Sequence, residues 1–396
     1  MDKGAHLFTH TTSIGMTRRH FLPMAGTVLV AGAAFAAWAL EQPKPADPNA
    51  TGPAGSEAVP LLPDERAILH LASLAPSGHN TQPWRVKRTA PFHWVVGNDQ
   101  ARWLPAVDPT QRETMLSIGA FLQNLEFAAA HYGYACRCTL LAETNQAPDV
   151  MAVVLTKTPA APGFDVAALT RRRTVRSGYR AEALRPADVR ALTAGEPGYH
   201  YFRRDTPEGR WLDAQTLAAN HQQTYRNAAE AELSHWVRFS AQEVQWHRDG
   251  LTPASMEIGG VAGWWVRHFY TPATVMKDSF REAGLKTVAK QVGQSAGWLV
   301  LTSPDRAPGT LLDTGRRVQR LWVQVRTLGI ALHPMTQILE ENPFAQQVNG
   351  ALGLADPIQF LLRCGYVAAD AYPEPVSERR PVAWFVQNDR DAGSTA

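Results

Sequence analysis

The chain has 396 residues, 45% of them hydrophobic and 19% charged, with a formal net charge of +3. That length and composition bury a substantial globular core, divisible into two or three units, while the small, scattered positive charge argues against a nucleic-acid partner. Cys136, Cys138 and Cys364 lack the spacing of a zinc or iron–sulfur ligand set, as do His221, His235 and His247, so no metal is expected.

Residues 17–22 read TRRHFL and precede an Ala/Gly-rich apolar run from Pro23 to Leu40, where Ala37 and Ala39 supply the small residues a signal peptidase reads. The stretch 1–40 resembles a twin-arginine export signal, which implies a periplasmic or otherwise exported protein. Its apolar run falls short of the roughly 20 residues that span a bilayer comfortably, and retention as an uncleaved anchor is the alternative. Prolines and small polar residues make 41–62 a tether. Pro63, Asp64 and Glu65 then read as a helix first turn. Ile68, Leu71 and Ala75 carry that helix on, and Pro76 is expected to end it. Ser77, Gly78 and Asn80 follow on a loop before QPWRVKR enters a strand. Gly78 permits close approach to the backbone. Asn80 offers donor and acceptor together, a match for a planar heterocycle, unless the loop uses both to cap itself.

MLSIGAFLQNLEFAAAHYG (115–133) and LLDTGRRVQRLWVQVRTLG (311–329) superpose at a constant offset of 196 residues, which aligns Gly119 with Gly315, Gln123 with Gln319, Leu125 with Leu321 and Gly133 with Gly329. Short β-like runs follow each: CRCTLL and MAVVLT after the first, QFLLRCGYV after the second. The chain therefore reads as two tandem copies of one α+β unit, 63–162 and 163–386. The first helix is apolar on nearly all faces, as burial between the copies demands. Helices 113–132 and 311–328 are expected to lie against each other, and pairing of the copies within one chain predicts a monomer.

APSGHNTQPWRV (75–86) resembles the flavin-facing segment of the FMN-dependent nitroreductases. A second motif of that family, an arginine string, appears here as RRRTVR at 171–176. The resemblance implies a nitroreductase-like α+β fold, in which a dimer holds FMN at its interface with residues from both partners. Copy one keeps the loop and lacks the arginine string, whereas copy two keeps the string and lacks the loop. One FMN per chain follows, as in single-chain, Acg-type nitroreductases, the chain forming a pseudo-dimer. The resemblance assigns Pro76, Ser77, Gly78 and Asn80 to the flavin loop and Arg172, Thr174 and Arg176 to the phosphate side. It places Met335 or Thr336 of HPMTQ as a backbone N–H near the flavin, and Arg379 and Arg380 of SERRPVAWF as further phosphate or ribityl contacts. Arg171 and Arg173 are read as surface or helix-terminal charges, and His79 as a satisfied loop histidine, with contact to substrate or ring as the alternative.

Between 230 and 292 copy two carries an insertion rich in aromatics, Trp236, Trp246, Trp264 and Trp265 among them. It reads as a lid stacked on the flavin or as a helical hairpin packed on the scaffold. The function implied is an exported oxidoreductase passing electrons through FMN to a small electron-poor acceptor, nitroaromatic or quinone-like. Outside the membrane NAD(P)H is absent, so the donor is a membrane or protein carrier. A non-catalytic FMN store with a closed site is the alternative.

Overall fold

A computed structural model describes residues 59–158, 164–180, 182–195, 197–368 and 372–388. The signal-like stretch 1–40 and the tether up to residue 58 lie outside the described residues. Helix α1 (Pro63–Ser73) opens with Pro63 at its first position, and Glu65 reaches back to accept from the Leu62 N–H at 3.0 Å. Glu65 also accepts from Arg88, the Phe92 N–H and the Trp94 indole, so a helix-entry acid pins α1 to two strands. The helix stops at Ser73, short of Ala75. The carbonyls of Leu74 and Ala75 are instead acceptors for Arg172 and Arg379.

Strands β1 (Trp84–Ala90) and β2 (His93–Asn98), helix α2 (Arg112–His131), and strands β3 (Tyr134–Leu140) and β4 (Asp149–Lys157) follow. They form an antiparallel sheet in the order β3-β4-β2-β1 with α2 packed on it. Four further strands build a second antiparallel sheet in the order β5-β6-β8-β7: β5 (Tyr199–Arg203), β6 (Gly297–Thr302), β7 (Ile330–Pro334) and β8 (Ile358–Tyr366). Besides the helices Ala167–Thr170, Pro186–Thr193 and Pro272–Val275, this half carries, in chain order, α3 (Pro207–Tyr225), α4 (Asn227–Trp236), α5 (Ala241–His247), α6 (Gly260–Phe269), α7 (Asp278–Val292), α8 (Pro308–Val325), α9 (Gln337–Glu340) and α10 (Phe344–Leu352). A last strand, β9 (Val386–Asn388), crosses back and runs parallel to β1 in the first sheet, a return that a contiguous second unit ending at 386 does not express.

Helices α2 and α8 cross at Gly119 and Gly315. A Cβ on Gly119 would stand 2.1 Å from the Leu312 carbonyl oxygen, and one on Gly315 would stand 2.1 Å from that of Leu116. Nearby, Gln319 donates to Asn124 Oδ1 and Arg320 donates to Gln123 Oε1, both at 2.7 Å. Shifting each contact by the 196-residue offset turns it into the other member of its pair. Backbone packed on backbone here requires glycine on both sides.

Candidate functional site

The loop after α1 is held in an uncommon conformation. His79, Asn80 and Gln82 have φ of 44°, 56° and 54°, a region that costs side-chain-bearing residues energy unless the surroundings impose it. Ser77 Oγ accepts from the Gln82 N–H at 2.9 Å, and Ser77 O accepts from the Asn80 N–H at 3.0 Å. Asn80 Nδ2 donates to the carbonyls of Gly250 and Glu378, each at 3.1 Å, and Asn80 Oδ1 accepts from Arg379 at 2.9 Å. Both amide hydrogens of Asn80 are therefore spent on the protein, which corrects the expectation that this side chain presents a donor to a heterocycle.

The loop forms one wall of a cavity of about 300 Å³, within the range of small-molecule sites. Pro76, Ser77, Gly78, Asn80, Arg172, Thr174, Arg176, Thr336 and Arg379 all line it. Leu116, Ser117 and Ala120 of α2 contribute, as do Val318 and Trp322 of α8, so the crossing helices form its floor. Residues 172–176 belong to no helix or strand, and Arg172, Thr174 and Arg176 line the same cavity.

Arg172 is buried, lies 5.1 Å from the Trp322 ring centre and donates to the Leu74 carbonyl at 3.2 Å, while its Nε and Nη1 have no partner. Burial pulls the pKa of Arg172 and of Arg176 down to about 10 and that of Arg379 to about 9. Arg379 Nε is also unpartnered. A cation as desolvated and as short of partners as Arg172 is costly, and an anion beside it offsets that cost. Arg173 corrects the surface reading: it is buried, lines the same cavity, donates to the Glu374 carbonyl and sits 3.5 Å from Glu257. Arg171 is exposed at the end of the short helix Ala167–Thr170 and pairs with Asp165.

Two assigned residues stand outside the wall. Met335 is buried in the core of the second half, and its N–H already donates to the Leu361 carbonyl at 3.0 Å. Arg380 uses its guanidinium on the carbonyls of Gln82 and Trp84, at 2.6 and 2.9 Å, and serves the fold there. His79, far from satisfied, has an unpartnered Nδ1 in the cavity wall, and burial lowers its pKa to about 4.

Sequence reasoning missed four further polar residues of the cavity. Glu113, Gln223, His333 and Glu340 also line it, and of these only His333 belongs to a quoted motif, HPMTQ. Glu340 accepts from Thr336 Oγ1 and from Gln223 Nε2 at 2.6 Å. Burial, with Glu113 beside it, raises its pKa to about 8, so it holds a proton at neutral pH. Burial and the neighbouring Arg176 and Arg363 keep His333 neutral. Arg363 can only donate to its Nδ1, at 3.0 Å, which puts the imidazole proton on Nε2. Among the described residues no group of three or more His, Cys, Asp or Glu is placed to hold a metal.

The insertion touches the site through residues 251–257 and not through its aromatics. Leu251 and Ser255 line the cavity, and Glu257 accepts from the Arg176 N–H at 2.8 Å. Trp236 packs instead with Leu104 and Val107, while Trp246 and Trp265 are exposed, so no tryptophan of the insertion stacks over the site.

No family model matches the chain. It is 25% identical over 338 residues to "Probable NAD(P)H nitroreductase PigM" of a Serratia species, covering 78% of this chain and 89% of the relative. It is 27% identical over 339 residues to "Putative NAD(P)H nitroreductase Rv3131" of Mycobacterium tuberculosis, covering 81% and 90%. Among solved structures, the FMN-dependent nitroreductase NfnB of Mycobacterium smegmatis, in complex with NADPH, aligns with a TM-score of 0.34 at 14% identity, covering 52% of this chain and 91% of that one. Over about four-fifths of its length, then, the chain is similar to proteins named NAD(P)H nitroreductases.

Proposed function

We propose that this chain binds one FMN and works as a nitroreductase-type oxidoreductase on a small electron-poor acceptor. The observation that carries the reading is Arg172: buried, short of two hydrogen-bond partners, and joined in one cavity wall by Arg176 and Arg379. Those guanidiniums fit a phosphate, for which each charge-assisted bond contributes roughly 1.5–3 kcal/mol net. When bound, FMN supplies the two-electron exchange. The chain's own residues divide the remaining work. Arg172, Arg176 and Arg379 hold the anionic end, Ser77 to Asn80 shape the wall that Arg379 joins, and His333 Nε2–H and protonated Glu340 offer further donors in the cavity. The reciprocal α2–α8 contacts support a pseudo-dimer of two units, 63–162 and 163–386, with the site between them and a monomeric chain.

Export through a twin-arginine route, and with it a donor other than NAD(P)H, belongs to the same proposal. The purified holoprotein is expected to bleach fully with dithionite and slowly or not at all with NADPH. Rapid NADPH-driven reduction of a nitroaromatic removes the donor proposal and leaves the FMN site standing. Stoichiometric FMN in the Arg172→Ala, Arg176→Ala double variant removes the site. A flavin that dithionite reduces but no quinone or nitroaromatic reoxidises favours the storage reading, to which Leu251 and Ser255, lining the cavity from the insertion, lend support.

A further inference from the structure

The aromatic residues of the insertion leave an unusual surface. Along α6, Val261, Trp265 and Phe269 recur at four-residue spacing and are 69%, 53% and 55% exposed. On the opposite side of the helix Gly263 is buried, and Val266 packs with Val237, Phe239 and Val275. The helix is therefore apolar toward both the core and solvent. The outward rings cohere, with Trp265 and Phe269 centroids 4.3 Å apart and Trp264 and Phe269 5.9 Å apart. Contiguous exposed aromatics of this kind mark a contact surface.

We propose that the outward face of α6 docks on a lipid bilayer carrying anionic headgroups. Three features select that occupant over a second copy of the chain. The three side chains expose on the order of 350 Å² together, well under the ~800 Å² per partner of a stable protein interface. They form one convex helical stripe, which offers no groove to a partner. Tryptophan and phenylalanine beside the exposed His268 are the composition of an interfacial helix. Exposed Lys277, Lys286 and Lys290 outnumber exposed Asp278 and Glu282 on the neighbouring segment, which meets α6 through the Tyr270–Phe280 contact. The docking face is also close in sequence to the cavity: Gly260 begins the helix three residues after Glu257, which buttresses Arg176. A bilayer-dissolved electron carrier would thereby be delivered near the cavity wall. The docking itself does not depend on the FMN assignment.

The test is flotation of the full-length holoprotein with phosphatidylcholine vesicles, with and without phosphatidylglycerol. Binding is expected with the anionic lipid, falling about tenfold in the Trp265→Ser, Phe269→Ser variant. Both positions are exposed, and retained flavin absorbance and circular dichroism verify the fold. Quenching of Trp265 by brominated lipid, absent in Trp265→Phe, locates the contact. Undiminished flotation of the double variant assigns binding to another part of the chain, such as the apolar leader, and overturns the proposal. Concentration-dependent self-association without vesicles, abolished by the same variant, overturns it in favour of an interface between copies.

Discussion

Asn80 and Glu340 show what a residue's chemistry reveals alone and what only its neighbours add. The type and place of Asn80 were legible in the sequence, but its partners, Gly250, Glu378 and Arg379, lie roughly 170 to 300 residues away and no local pattern encodes them. Its role is to tie three segments together. Asn80→Ala should cost the flavin-free protein about 3 kcal/mol in urea unfolding, because two carbonyls and a guanidinium lose partners. A loss under about 0.5 kcal/mol, the range of an ordinary surface change, contradicts this. Glu340 was invisible to sequence reasoning because its shift comes from burial beside Glu113. Its pKa rises from 4.5 to about 8, so between those values the native chain holds a proton that the unfolded chain has released. Stability from this group therefore falls as pH rises through that window. Glu340→Gln should gain on the wild type between pH 5 and pH 8, at most about 1.4 kcal/mol per pH unit. Parallel stability–pH curves for the two proteins would refute the shift. Asp108 and Glu230, also raised by burial, leave a residual slope in both.

At the scale of elements, the repeat of glycines and polar residues located α2 and α8 and their contact, because a helix crossing this tight leaves a glycine signature in sequence. Strands β5, β6 and β7 left less: Ile330–Pro334 is five residues with no alternation, buried or half-buried throughout. A short run of that kind has no period to detect. The glycine pair yields a sharp contrast. Gly119→Ala and Gly315→Ala each force a Cβ onto a backbone oxygen and should destabilise by about 3 kcal/mol, with the cavity floor disturbed and flavin lost in parallel. Gly350, within α10, has open space around it, and Gly350→Ala should stabilise by up to about 1 kcal/mol. Thermal unfolding of the three variants checks both signs at once. Equal effects at positions 119 and 350 would mean that the helices do not cross where the glycines are.

For the whole molecule, the order of the chain matters most. The cavity takes its loop from 76–80, its arginines from 172–176 and its closing contacts from Ser377 and Arg379, while Arg380 and β9 fasten the tail to β1. Nothing in the sequence near residue 380 announces a partner near residue 84, since β pairing across the full chain length has no local code. Such a site is complete only once nearly all of the polypeptide has been made and folded. Under the export proposal, a cofactor loaded into it beforehand has to cross the membrane inside folded protein, which is the circumstance a twin-arginine route serves. Replacing Arg18 and Arg19 together by lysine should therefore leave flavin-loaded, full-length protein in the cytoplasmic fraction, with its visible spectrum unchanged. Deletion of 377–396 should abolish flavin retention and lower the unfolding temperature, because Leu74, Ala75, Gln82 and Trp84 lose their arginine donors. If the lysine variant is exported as efficiently as the wild type, the leader is not read as a twin-arginine signal. If the truncated chain keeps stoichiometric flavin, the tail is not part of the site, and loading would no longer require the finished fold.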